Sequence, residues 1–80
     1  MHDVTAYCIT GTMASGEQTR HGAIATLSRR IAFGTRLLIA GRIYTVLDRI
    51  GHSSDFDIWM DDCDDADAWG RQRLEVVVLP

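Results

Sequence analysis

The 80-residue chain has no lysine and a single proline, and its eight basic residues are all arginines, scattered singly apart from the pair Arg29-Arg30. A nucleic-acid groove gathers basic side chains with aromatics among them, so this scatter argues against nucleic acid as a partner. Long apolar runs are lacking too. Arg36, Arg42, Asp48 and Arg49 interrupt the most hydrophobic stretch, whereas a membrane helix needs about 18 apolar residues in succession, and membrane insertion is not expected. The opening Met1 to Thr5 carries neither the basic nor the apolar segment of a secretory leader, so no signal is expected in this stretch. No C-x-x-C pair, EF-hand calcium pattern, Ser-His-Asp or Cys-His signature, internal repeat or low-complexity segment occurs. Cys8, Cys63 and two of His2, His21 and His52 are zinc-binding types without the usual short ligand spacings, so no metal or other cofactor is expected. The length gives one domain over residues 1–80 and excludes a multidomain enzyme.

What is present points to a small β protein. Hydrophobic residues make up 46% of the chain, enough for one core. A chain of this size buries only about 60% of its unfolded surface, so a cross-link or a closed barrel would aid stability. Cys8 and Cys63 are either a bridge or two buried thiols. The β-branched and aromatic run Val4 to Tyr7 predicts a strand, and the glycine-containing stretch from Ile9 to His21 a loop. A second strand is expected at Ala23 to Thr26, followed by a turn over Leu27 to Ile31. Arg36 to Ile39 and Arg42 to Leu47 flank Ala40-Gly41 as a hairpin. Asp48 to Asp55 reads as a loop, and the alternation of Phe56 to Met60 as a half-buried strand. Asp61 or Asp62 would cap a helix over Cys63 to Trp69 that stops at Gly70. Arg73 to Leu79 reads as a last strand covered on both faces. Six strands and one helix in so short a chain favour a closed barrel over an open sheet with bare edges.

The charge is uneven although the net value is only −3. Nine of the eleven acidic residues are aspartates, and seven lie from Asp55 to Asp67. Helix capping accounts for several of them. Asp48 and Asp57 are different: they flank a loop, and a barrel would bring both to one groove. Two carboxylates brought close raise one another's pKa, so that one keeps its proton near neutral pH, as the general acid of glycoside cleavage must. The alternative makes Asp48 a turn cap and Asp57 an exposed strand residue. Trp59 and Tyr44 offer ring faces for sugar stacking, or else serve as wall and core. Thr5, Tyr7 and Ser15 offer hydroxyls to a polar ligand, or else occupy ordinary strand and loop positions.

The segments Thr5-Ala6-Tyr7-Cys8, Thr12-Met13-Ala14-Ser15-Gly16, Gly22-Ala23-Ile24-Ala25, Phe33-Gly34-Thr35-Arg36-Leu37, then Asp48, Phe56-Asp57-Ile58, and Asp62-Cys63 through Trp69-Gly70-Arg71 follow one another in an order that resembles the bacterial three-aspartate domain. That family is similar to the carboxy-terminal part of membrane-bound lytic transglycosylase A, and more distantly to rare lipoprotein A and barwin-like domains. The resemblance spans nearly the whole chain. It implies a monomeric, mainly β, six-stranded double-psi β-barrel with one short helix, acting on peptidoglycan glycan strands outside the cytoplasm, in the cell envelope, secreted or phage-borne. It also implies Asp57 as the catalytic acid and Asp48 as its support. Such an enzyme protonates the oxygen between N-acetylmuramic acid and N-acetylglucosamine while the sugar's own C6 hydroxyl closes a 1,6-anhydro ring. Tyr7, Trp59, Tyr44 and His52 would line the sugar groove, with Asp55 a further polar group there. Cys8 and Cys63 look like a bridged pair of some relatives. The sequence departs from the family at Leu27, which stands at its first aspartate, at Ser28, where proline is usual, and in the shortened loop from Arg49 to Asp55. A non-catalytic glycan-binding or wall-anchoring module is the alternative.

Overall fold

In the computed structural model, which describes residues 1–51 and 53–80, the β-branched and alternating segments become strands. Chain order is β1 (His2–Tyr7), β2 (Ala23–Thr26), β3 (Arg36–Ile39), β4 (Arg42–Arg49), β5 (Phe56–Trp59), α1 (Cys63–Trp69), β6 (Gln72–Leu74) and β7 (Val76–Val78). They form one sheet in the order β6-β1-β5-β2-β4-β3-β7. β1 runs parallel to β5 and β2 parallel to β4, whereas β2 and β5 are antiparallel. The β3–β4 hairpin turns at Ala40 and Gly41, both at positive φ (50° and 79°), the combination whose twist suits a two-residue hairpin.

The expected count of six strands is corrected to seven among the described residues, because the C-terminal segment divides. β6 pairs with β1 at one edge of the sheet, and β7 pairs with β3 at the other. Only Glu75 lies between them. One short segment thus joins both edges into a nearly closed, barrel-like sheet, satisfying backbone groups that an open sheet would leave bare. This also corrects the expectation that the last strand is covered on both faces: Val77 and Val78 are exposed, since β7 lies at an edge of the sheet, against β3.

The main core is Val4, Ile24, Leu37, Ile39, Val46, Phe56 and Ile58, contributed by β1 to β5. A second cluster of Met13, Ala23, Leu47 and Trp59, with Tyr7 against it, lies beneath the 8–22 connection. Since β5 contributes to both, Phe56 to Trp59 are all buried. The half-buried pattern read from the sequence is corrected accordingly: one face of β5 meets the main core, and the other meets the second cluster. Met60 falls outside the strand, and β4 continues through Asp48 to Arg49, two residues further than expected.

Asp62 caps α1, accepting from the Asp64 and Asp65 backbone N–H groups. Asp61 instead approaches the His21 ring (3.2 Å). The Trp69 indole N–H donates to the Val4 carbonyl (3.0 Å), and a Cys8–Cys63 disulfide joins the end of β1 to the start of α1. Both links hold the helix against β1. No helix among the described residues is long and apolar enough to cross a membrane.

Candidate functional site

Strand register carries Asp48 and Asp57 to one face. Ala25 of β2 is paired with Asp57 on one side and with Asp48 on the other. Thr5 of β1 pairs with Asp57 in turn. Directly paired residues project to the same side of a sheet, so Thr5, Asp57, Ala25 and Asp48 form one row across four strands. At about 4.8 Å per strand, the two aspartate Cα atoms stand about 10 Å apart, with Ala25 between them in the register.

The row depends on a β-bulge. Ile24 pairs with Val46, yet the next residue, Ala25, pairs with Asp48, leaving Leu47 as the extra residue of β4. In regular pairing Asp48 would lie opposite Thr26 and point to the other face. The bulge places Asp48 on the same face as Asp57, the face from which Leu47 also fills the second core cluster.

Asp48 is held from three directions. Its Oδ2 accepts from the Tyr7 hydroxyl (3.1 Å), and its Oδ1 accepts from the backbone N–H groups of Ala14 and Arg49 (both 2.9 Å). The 8–22 connection is thereby fastened over the row, with the Ser15 N–H donating to the Leu47 carbonyl nearby (3.0 Å). Burial pushes the Tyr7 phenol far above its ordinary value, aided by the charge of Asp48, the hydrogen bond to it and the charge of Asp57. One hydroxyl therefore lies in the field of both carboxylates.

Asp57 is 7% exposed. Its Oδ1 accepts from the Thr5 hydroxyl (2.9 Å), which also lies 3.1 Å from Ser54 Oγ. The buried Ser54 hydroxyl lies in turn within hydrogen-bond distance of the Phe56 and Asp3 carbonyls (2.9 and 3.2 Å). This corrects the alternative that made Asp57 an exposed strand residue.

The other expected site residues take other roles. Trp59 is buried in the second cluster, with its indole N–H on the Ile9 carbonyl (3.0 Å), and it takes the core role of its two alternatives. Tyr44 pairs with the buried Leu37 and packs on the main core, away from the aspartate row. Burial raises its phenol pKa, against the nearby Arg42 guanidinium. His52 lies outside the described residues. Cys8 and Cys63 are spent on the disulfide, and among the described residues no group of three or more His, Cys, Asp or Glu side chains could hold a metal ion.

A cavity of about 310 Å³ opens on the face opposite the row, lined by residues 26–28 and Ile31 from one part of the chain and by Asp55, Phe56 and His2 from others. Neither Asp48 nor Asp57 lines it. Asp55, expected near the sugar groove, belongs here. Leu27, at the position where the resemblance places an aspartate, is half exposed at the cavity wall. Ala25 and Ser54 are the site residues that sequence reasoning missed. An alanine in a buried strand carries no chemical signal, and Ser54 meets Thr5 across 49 residues.

No family model matches the chain, and no curated protein or solved structure matches it significantly.

Proposed function

We propose that this protein is a double-psi-type barrel that cleaves peptidoglycan glycan strands in the manner of a lytic transglycosylase, with Asp57 as general acid and base. The observation that carries the reading is the row Thr5, Asp57, Ala25, Asp48, in which two carboxylate-bearing residues stand on either side of Ala25 and the Tyr7 hydroxyl donates to Asp48. Two parallel strand pairs set about the antiparallel β2–β5 pair support the double-psi assignment.

In this reading Asp57 gives its proton to the glycosidic oxygen and then recovers one from the C6 hydroxyl as the anhydro ring closes. Thr5 orients the Asp57 carboxyl through Oδ1. Asp48 is engaged by three donors and contributes negative charge that stabilises the oxocarbenium-like transition state. The disulfide accords with an oxidising, extracytoplasmic setting.

Incubation with purified peptidoglycan should release 1,6-anhydromuropeptides, and Asp57→Asn should reduce release by about 100-fold or more. Equal release by both proteins, or none by either, removes the reading. A second reading, a glycan-binding module without turnover, is favoured by one observation: the cavity lies away from both aspartates. It predicts sedimentation with sacculi by wild type and Asp57→Asn alike, without product.

A further inference from the structure

We propose that the cavity on the opposite face from the aspartate row binds a small molecule with a compact aliphatic chain and a terminal ammonium group. The chain would lie against Phe56, Ile31 and Leu27, and the ammonium would rest on the Asp55 carboxylate. This site is separate from the cleavage reading at the aspartate row: Phe56 and Thr26 project to the side of the sheet opposite their neighbours Asp57 and Ala25.

Size and shape fit such a ligand. About 310 Å³ is the lower end of small-molecule cavities. The Leu27 N–H donates to the Asp55 carbonyl (3.1 Å), tying the two sides of the cavity together. Arg49 braces the 28–33 segment behind it, donating to the Ser28 and Ile31 carbonyls (3.2 and 2.8 Å) while its guanidinium carbon stands 4.3 Å over the Phe33 ring. The cavity is thus formed before a ligand arrives, which lowers the entropy cost of binding.

Charge selects the head group. Asp3, beside the site, is already paired with Arg71 and Arg73 (3.2 and 3.0 Å). Asp55 has a weaker arrangement: its Oδ2 accepts the Asp3 N–H (3.0 Å) and stands 3.7 Å from His2 Nδ1, a ring charged only when protonated. Its side chain remains 46% exposed. An ammonium could therefore reach a carboxylate at the edge of an apolar wall, where a charge-assisted hydrogen bond is stronger than in open water. A carboxylate or phosphate ligand would meet Asp55 as a like charge. The guanidinium of Arg49 is occupied by the carbonyls it braces.

The test is a ¹H–¹⁵N NMR titration of the intact protein with n-pentylammonium, 1-pentanol and pentanoate at constant ionic strength. Pentylammonium should give saturable shifts centred on Leu27, Ser28, Ile31 and Phe56, with affinity about tenfold or more above the other two probes, the worth of one charge-assisted hydrogen bond. Asp55→Asn, which keeps an acceptor for the Asp3 N–H, should abolish the preference, and Leu27→Trp should fill the cavity and abolish binding. Equal affinity for the three probes, shifts centred elsewhere, or an unchanged preference in Asp55→Asn would overturn the proposal. Asp57→Asn should bind pentylammonium as the wild type does, so loss of the glycan reading leaves this result standing.

Discussion

At the scale of single residues, Tyr7 links the two carboxylates most directly. Its hydroxyl donates to Asp48, and its phenol pKa is raised by burial first and by both aspartate charges after that. A raised pKa in the folded state means that folding favours the neutral phenol. That contribution is complete below the unfolded value of about 10 and is lost as pH rises beyond it toward the folded value. Tyr44 is shifted in the same direction by burial. Chemical denaturation across alkaline pH should therefore show the midpoint falling above about pH 10, with tyrosinate absorbance appearing together with unfolding. Tyr7→Phe should flatten part of that fall while lowering neutral-pH stability by about 1.5 kcal/mol, the worth of a hydrogen bond to a charged acceptor. The shared face of Asp48 and Asp57 was legible in the sequence as two carboxylates flanking a loop that a barrel would bring together. The role of Ala25 was not, because its contribution is the space it leaves.

At the scale of elements, the β4 bulge decides which face Asp48 takes. Nothing in Val46-Leu47-Asp48 announces an extra residue: regular alternation already sends Val46 and Leu47 to different clusters, and only the pairing of Ala25 with Asp48 puts Asp48 on the face of Leu47. Deleting Leu47 should restore regular pairing with Asp48 still opposite Ala25, so the Tyr7 contact survives while the second cluster loses a side chain; a lower denaturation midpoint with the Tyr7-dependent alkaline transition retained would report this. The hairpin was legible from Ala40-Gly41, yet Ala40 adopts a left-handed conformation (φ 50°) that costs an alanine about 1 kcal/mol. Ala40→Asn, at this exposed turn, should recover much of that, seen as a higher denaturation midpoint. The cap of α1 was legible as a choice between Asp61 and Asp62. Asp62→Ala should cost about 1 kcal/mol, whereas Asp61→Ala removes only an exposed contact with His21.

At the scale of the whole molecule, closure comes from two devices in the C-terminal third. The segment around Glu75 pairs with both sheet edges, and the disulfide closes a separation of 55 residues. In the chain-entropy account that bridge is worth about 4 kcal/mol, a large share of what so small a domain possesses. Reduction, or the double variant Cys8→Ala/Cys63→Ala, should lower unfolding free energy by that order, measured by denaturant titration with and without reductant. The sequence by itself determined the strand-forming segments, the hairpin, the helix with its cap and stop, and the lack of any membrane-length apolar helix, because these follow from local residue types and short periods. Tertiary structure decided the rest: the division of the last strand, the burial of β5 on both faces, the core role of Trp59 and the bulge that sets Asp48 on the same face as Asp57. Each of these depends on which distant strand lies alongside, and pairing across some fifty residues leaves no trace in local pattern.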